Sequence, residues 1–454
     1  MADQMTYREH LNRVVKLGAP LVGANLAGFA IHMTDTLMLG WYSVTALAAS
    51  TIAGSLWFVF FMIGTGFARA VTPIVAEAVE QGDDLTARRV TRMSIWLCAG
   101  FSLLVLPPYL WGEEVLLAIG QDPDVAFEGG IYLGIVAFGF LPALMGQIMR
   151  SYLGALELTT VQMWVTIAAL VMNALFNYAL IFGNLGFPEM GIAGAAYASI
   201  LTQTVQMIAL MIYAHRNRPD LGLFNRLWKP DPDALSRVFR LGLPIGITSF
   251  AEGGLFTGST VMMGWLGEVP LAAHGIALQL TALMFMVHLA LSEAAAIRAA
   301  GQFGRRDEAA LRKGAKAAIS MSMTFGVIVV IIFLVFPAPL VAAFMDPDEV
   351  QRDAVLRLGI VLLMLSALFQ FVDALQVMVL GLLRGVQDTR VPMWLACVSY
   401  WVVGIPISYV MAFELGWGPQ GLWLGLTVGL GVAAVLLSVR FWGRSVQLTA
   451  MSAA

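Results

Sequence analysis

Long apolar runs separated by short polar connections dominate this chain. Each run is close to the roughly 20 apolar residues that a helix needs to cross a bilayer. Only helices and closed barrels satisfy their backbone polar groups inside lipid, and barrel strands would alternate apolar with polar residues. The continuous runs therefore predict an all-α polytopic membrane protein of about twelve spans. The predicted spans are 15–40, 47–75, 93–112, 130–152, 161–183, 190–214, 240–266, 270–298, 316–338, 355–383, 393–414 and 418–441.

The composition agrees with a lipid environment. Of the 454 residues, 59% are hydrophobic and 12% are charged, whereas a soluble domain carries about 25% charged residues. So few charged residues cannot cover a water-facing surface. The net charge of −3 gives no basic patch for nucleic acid, so we expect the lipid bilayer and small organic molecules as partners, and no nucleic acid. We expect the protein to be a monomer.

Basic residues are distributed unevenly among the predicted loops. Lys and Arg cluster at the N-terminus and after the even-numbered spans, while the opposite loops hold almost only acids. The positive-inside rule therefore places both termini in the cytoplasm. The expected location is the plasma membrane, which in a bacterium is the inner membrane. The cytoplasmic cations include Arg8, Arg13, Lys16, Arg88, Arg89, Arg92, Arg305, Arg306, Arg312, Lys313 and Lys316.

The two halves of the chain repeat each other. Asp35-Thr-Leu-Met-Leu-Gly-Trp41 lies opposite Ser259-Thr-Val-Met-Met-Gly-Trp265, 224 residues further on. Six spans per half give parallel repeats, which often form two lobes around a cleft with alternating access. We predict an N-lobe at 1–214, a cytoplasmic interlobe loop at 215–239 and a C-lobe at 240–454. Further matches are Pro20 with Pro244, Asp83 with Asp307, Asp122-Pro-Asp124 with Asp346-Pro-Asp348, and, at an offset of 230, Gly191 with Gly421.

Three carboxylates stand well inside apolar runs, namely Asp35, Glu252 and Asp373. An ionisable group at this depth costs at least about 2.5–3.5 kcal/mol, so it is a functional hypothesis by default. The alternative is a structural carboxylate satisfied by a neighbouring helix. That alternative is favoured for a fourth acid, Glu293, through an ion pair with Arg298 or Arg69.

The three acids are not duplicated by the repeat, because Ser259 matches Asp35 and Gly28 matches Glu252. This difference predicts lobes with separate roles. A carboxylate in a low-dielectric site can hold a proton or pair with a cation, and two carboxylates with nearby oxygens suit Na⁺. The sequence alone does not select between Na⁺ and H⁺ as the coupling ion.

Polar residues accompany these acids at helical spacing, where residues three or four apart share a face. They either join neighbouring helices by hydrogen bonds or line a cleft. The candidate substrate or polar-network residues are Ser249, Gln279, Gln370, Gln376, Asn173, Asn177 and Thr202.

At these residues the chain resembles the MATE (multidrug and toxic compound extrusion) family, and its NorM-type branch most closely. The likeness covers roughly 15–440. Its motifs are Asp35-Thr-Leu-Met-Leu-Gly40, Ala272-Ala-His-Gly-Ile-Ala-Leu-Gln279, Asp373-Ala-Leu-Gln-Val377, Gly381-Leu-Leu-Arg-Gly385 and Gln387-Asp-Thr389.

The resemblance implies a V-shaped fold of two six-helix lobes and cation-coupled export of bulky, often cationic, organic compounds. It implies a C-lobe cation site at Glu252 and Asp373, which would hold Na⁺ if that is the ion. It also implies an N-lobe polar centre for protons or substrate at Asp35, with its two asparagines. The NorM-type branch often has Tyr four residues before the span-10 Asp, whereas this chain has Phe369 and lacks that hydroxyl.

The main functional hypothesis is therefore a secondary multidrug antiporter that exchanges organic compounds for Na⁺ or H⁺ and needs no cofactor. One alternative is a lipid-linked saccharide flippase of the same superfamily, which would be expected to carry cations in its cleft, whereas the mid-span charges here are mainly acidic. Another is a channel or a non-transporting membrane partner. An enzyme is disfavoured because no ATP motif and no clustered His, Ser or metal motif is visible.

Overall fold

The computed structural model describes residues 6–345 and 351–447, apart from the side chain of Asp220. Within these ranges the chain is helical and contains no strand, which confirms the predicted all-α class. The pair Asp346 and Asp348 of the internal repeat, and the last residues of the predicted C-lobe, lie outside the described residues. The first half contains α1 (Tyr7–Tyr42), α2 (Val44–Arg69), α3 (Val71–Glu80), α4 (Asp84–Leu110), α5 (Gly112–Ala118), α6 (Pro123–Val136), α7 (Phe140–Ala155), α8 (Thr159–Phe182) and α9 (Gly191–Asn217).

The second half repeats this order of long helices. Among the described residues, eleven helices or continuous helix pairs are long and apolar enough to cross a membrane. The seventh predicted span lies in α10, which is not one of these eleven but is 35 residues long. The helices of this half are α10 (Pro232–Leu266), α11 (Glu268–Gly304), α12 (Glu308–Val335), α13 (Pro337–Ala342), α14 (Arg352–Gly385), α15 (Arg390–Cys397), α16 (Ile405–Tyr409) and α17 (Gly418–Arg440).

Several helices begin before their apolar runs, at capping residues. The Asp83 side chain accepts a hydrogen bond from the Thr86 amide at 3.0 Å, and Asp307 accepts one from the Ala310 amide at 2.9 Å. Both bonds satisfy an amide that the first turn of a helix leaves unpaired. The two aspartates are matched by the internal repeat, so corresponding helices start with the same cap.

The chain forms two compact units, and the division falls inside two helices. One unit consists of Gly23–Ile247, here called the N-terminal unit. The other consists of Met1–Val22 with Thr248–Ala454, here called the C-terminal unit. The division within α1 and α10 therefore falls close to Pro20 and Pro244, which the repeat also pairs.

Two spans lose regular α-helical bonding beside a proline. Pro142 lacks the amide that would bond to the carbonyl of Phe138, which lies in the 3-10 segment Ala137–Gly139. Pro406 similarly lacks a bond to Val402, which lies in the π-helical segment Val398–Gly404. The irregular segments therefore lie where the missing hydrogen bonds would be.

Small residues let helices approach closely within each unit. A side chain at Gly421 of α17 would meet the backbone carbonyl of Met411 at 2.5 Å, and one at Gly381 of α14 would meet the Ser292 carbonyl of α11 at 2.6 Å. Close approach of this kind is how membrane helices gain packing energy, because lipid supplies no hydrophobic drive for their association. The resulting core of the C-terminal unit surrounds α11, α14 and α17.

Candidate functional site

The N-terminal unit holds a polar centre around the carboxylate of Asp35. Asn177 donates from Nδ2 to Asp35 Oδ1 at 2.6 Å, and Asn173 donates to the same oxygen at 2.9 Å. Ser199 on α9 lies 3.4 Å from Asp35 Oδ2. Both asparagines are fully buried. Since they are four residues apart on α8, they present adjacent amides to one acceptor, as the spacing predicted.

Two further residues define the edge of this centre. The Tyr132 side chain on α6 forms a hydrogen bond with Ser199 and lies close enough to Asp35 for the carboxylate to act electrostatically on its hydroxyl. Thr202, by contrast, donates to the Ala198 carbonyl of its own helix at 2.7 Å. On α9 it is therefore Ser199 that reaches the carboxylate, while Thr202 keeps a local helical bond.

The C-terminal unit holds a second acidic centre, formed by Asp373 of α14 and Glu252 of α10. Asp373 is 1% exposed, and its Oδ1 has no hydrogen-bond partner among the described residues. The two carboxyls interact electrostatically. Like charges in a low-dielectric site are unfavourable unless a proton or a cation offsets them. The pair is therefore suited to take up one positive charge.

A tyrosine that we did not predict completes this second centre. Tyr400 is fully buried, and its hydroxyl accepts a hydrogen bond from Gln376 Nε2 at 2.6 Å. Both Glu252 and Asp373 act on this hydroxyl electrostatically. Tyr400 lies in the π-helical segment beside Pro406, and such irregular turns often occur at functional sites.

The position that the NorM-type branch often gives to tyrosine is apolar here. Phe369 is fully buried and packs edge-on against Phe256 and Trp423, with ring centroids 6.0 and 5.5 Å apart. A hydroxyl is thus absent at position 369, but a different helix brings one to the same pair of acids. Carboxylate and hydroxyl oxygens are ligands that hard cations such as Na⁺ accept.

The remaining predicted residues have varied surroundings. Gln370 donates to the Thr281 carbonyl of α11 at 3.2 Å, which is a bond between helices. Ser249 and Gln279 are half-buried on α10 and α11, and their role in a polar network stays a prediction. Arg298 Nη2 lies 3.3 Å from His10 Nδ1, and the pairing of Glu293 also stays a prediction.

Comparison with known proteins places the chain in a family. The MatE family model matches residues 20–179 and 244–410. The chain belongs to the MATE family. Its curated relatives include the probable multidrug resistance protein NorM of Agrobacterium fabrum, which is 41% identical over 95% of this chain and 93% of its own length. The corresponding NorM protein of Rhizobium meliloti is 39% identical over 98% of this chain and 96% of its own length.

Solved MATE structures share the fold. An outward-facing multidrug resistance MATE transporter of the MOP superfamily has a TM-score of 0.88 at 17% identity, covering 98% of this chain and 97% of its own. A MOP superfamily transporter from Pyrococcus furiosus has a TM-score of 0.87 at 17% identity, covering 97% of each chain. The predicted polytopic helical fold and the predicted family are therefore confirmed.

Proposed function

We propose that this MATE protein is a secondary antiporter that exports organic compounds, often cationic, in exchange for Na⁺ or H⁺. The observation that carries the proposal is the pair of acidic centres, one in each compact unit, on helices of membrane-spanning length, in which Asp373 and both asparagines beside Asp35 are buried. The NorM names of the relatives support multidrug efflux as the direction of transport. Acidic centres also suit cationic drugs through charge complementarity.

In this proposal the C-terminal centre is the cation site. Glu252 and Asp373 supply negative charge, and the Tyr400 hydroxyl supplies a neutral oxygen ligand. Binding of one Na⁺ or H⁺ relieves the repulsion between the two carboxyls, so the site holds the ion more tightly than either acid would alone. The Oδ1 of Asp373 finds no hydrogen-bond partner in the described part of the chain, which supports this role, because a buried acceptor without a partner costs free energy unless something binds it.

The N-terminal centre has a different task. Asp35 is a carboxylate that accepts hydrogen bonds from two amides, so it can attract a cationic substrate or receive a proton. Export then follows the alternating-access scheme: the ion binds from outside, drug affinity falls, the lobes return, and drug loads from the cytoplasm. The cycle involves no bond chemistry on the substrate, so we propose a transporter and not an enzyme.

The orientation belongs to the same proposal. The basic loops lie on the cytoplasmic side, both termini are cytoplasmic, and the membrane is the plasma membrane. The monomer is proposed as the working form, since each unit carries its own complete centre. The second candidate function is a flippase for a lipid-linked saccharide. The acidic character of both centres argues against it, because these centres would repel the pyrophosphate of such a substrate.

Efflux from proteoliposomes tests the function and identifies the ion. The protein is reconstituted with a fluorescent organic cation inside, and an inward gradient of either Na⁺ or H⁺ is imposed. We expect gradient-dependent efflux with one ion and no ionic current in a planar bilayer. Gradient-independent release or single-channel currents would contradict antiport.

Replacing Tyr400 by Phe tests the unexpected ligand. We expect the concentration of coupling ion that gives half-maximal efflux to rise about tenfold, because a ligand contact worth about 1.4 kcal/mol is lost. The maximal efflux rate should fall much less. Tyr409→Phe is the matched control, since Tyr409 is 43% exposed in the same span. If both variants need the same ion concentration for half-maximal efflux, Tyr400 is not a ligand of the coupling ion.

A further inference from the structure

The loop between α9 and α10 forms an ordered turn on the surface of α4, in the N-terminal unit. Trp96 of α4 donates from Nε1 to the Leu227 carbonyl at 2.7 Å, and Arg92 donates from Nη1 to the Arg226 carbonyl at 3.2 Å. The amide of Lys229 bonds back to the Arg226 carbonyl at 3.0 Å. Two side chains of a spanning helix thus hold the turn in place, although neither acidic centre uses it.

This turn presents one aromatic and two cationic side chains to the outside. Trp228 is 76% exposed, which is extreme for so large an apolar surface. Arg226 and Lys229 are exposed on either side of it. Arg226 adopts φ 55°, a left-handed conformation that costs a non-glycine residue of order 1 kcal/mol. The contacts from α4 maintain this backbone shape.

The turn lies where the apolar part of α4 begins. From Met93 to Leu110 that helix has no charged residue, while Arg88, Arg89 and Arg92 precede this stretch. Trp96 is in the first turn of the apolar stretch and is 43% exposed. Tryptophan concentrates at membrane–water interfaces. Trp96 and the neighbouring Trp228 therefore mark the level of the lipid headgroups.

The one acid of this turn region is neutralised by internal pairs. Asp231 pairs with Arg89 and lies 3.8 Å from Arg92 Nη2. The hydrogen bond from Arg89 is the main reason why the pKa of Asp231 falls to about 2. Arg92 is 5% exposed. The charges left at the surface of the turn are those of Arg226 and Lys229.

We propose that residues 222–231 form a binding site for the headgroup of an anionic phospholipid. Arg226 and Lys229 bind the phosphodiester, and Trp228 and Trp96 lie beside the glycerol and ester region. The anionic cytoplasmic leaflet attracts cations near its surface by about 1 kcal/mol each. The placement in that leaflet rests on the proposed orientation, but the site itself does not depend on ion coupling or drug export.

The C-terminal unit provides a charge control within the same chain. Lys316 matches Arg92, and Ser320 takes the place of Trp96, with its Oγ 2.5 Å from the Tyr7 hydroxyl. Arg306 adopts φ 54°, like Arg226. The C-terminal unit thus has two exposed cations, Arg306 just before α12 and Lys316 within α12, where Ser320 replaces the exposed tryptophan of α4. Charge alone should bind lipid less well there.

The test uses the full-length protein in a neutral detergent, titrated with dioleoyl phosphatidylglycerol while thermal unfolding is followed. The comparison ligands are dioleoyl phosphatidylcholine and inorganic phosphate. We expect a saturable rise in unfolding midpoint with phosphatidylglycerol only. In the double variant R226Q/K229Q we expect about thirty-fold weaker apparent binding, which corresponds to about 1 kcal/mol per charge. W228A should weaken binding by about fivefold, because the aromatic surface that the bound lipid would cover is lost.

The double variant R306Q/K316Q is the matched control and should bind phosphatidylglycerol like the wild type. Equal weakening in both double variants would overturn the site, because binding would then follow total charge. An equal response to phosphatidylcholine would also overturn it, as would the same shift with inorganic phosphate, which would indicate a free-anion site. Since the readout is lipid binding, a failure of drug efflux leaves this test unaffected.

Discussion

Replacing Asp373 by Asn is expected to reduce ion-driven efflux by about 100-fold. The substitution keeps the shape of the side chain but removes one of the two charges that attract the ion. Charged contacts of this kind contribute up to about 3 kcal/mol, and 1.4 kcal/mol corresponds to a factor of ten. Because Asp373 is buried, no water-exposed group can replace the lost charge. The measurement is efflux from proteoliposomes under the driving gradient.

Asp353→Asn is the control for this experiment. Asp353 is an exposed acid in the first turn of the same helix, so the same chemical change occurs far from the paired acids. We expect its efflux to equal that of the wild type. If Asp373→Asn pumps at the wild-type rate while folded protein reaches the liposomes, the C-terminal centre is not the coupling site.

Replacing Asp35 by Asn is expected to lower efflux by about thirty-fold. The variant keeps an oxygen that can accept from Asn173 and Asn177, but it loses the negative charge that makes those two bonds strong. About 2 kcal/mol of interaction disappears from the N-terminal centre, which corresponds to this factor. Comparing efflux of a cationic and a neutral dye separates the two roles: a larger loss for the cation indicates substrate attraction, and an equal loss indicates proton uptake.

Ser199→Ala provides the graded comparison for Asp35. Its contact with Asp35 is 3.4 Å long, which is weak by hydrogen-bond geometry. We expect less than a threefold change in efflux, since long bonds contribute little. An effect as large as that of Asp35→Asn would mean that the network acts through Ser199 and not through the carboxylate charge.

Part of both centres was predictable because burial of a charge in an apolar run is visible in the sequence. Asp35, Glu252 and Asp373 were predicted as site residues because a carboxylate within an apolar membrane-spanning segment costs free energy. The asparagines of α8 were predictable from their spacing, which puts both on one helix face. The matched caps at Asp83 and Asp307 likewise follow from a local pattern repeated in the two halves.

Other members could not be found this way, because they depend on contacts between distant helices. Tyr400 and Tyr132 are ordinary aromatic residues within apolar stretches, and nothing beside them in the sequence marks a hydroxyl that lies near a carboxylate. Position 369 suggested that the cation site lacked a tyrosine oxygen, whereas the structure brings one from Tyr400, 31 residues further on in the next span. Thr202 had the right polarity but keeps its hydroxyl on its own helix.

The sequence by itself determined the membrane environment, the helical class, the repeated halves and the acids within apolar segments. These follow from composition and from patterns within single helices, where the bilayer leaves few alternatives for the backbone. The tertiary structure decided which oxygens surround each acid, and it decided how the turn at 226–229 is fixed to α4. Those outcomes depend on packing between helices that are far apart in the chain. The spacing of side chains along one helix does not specify which other helix they will contact.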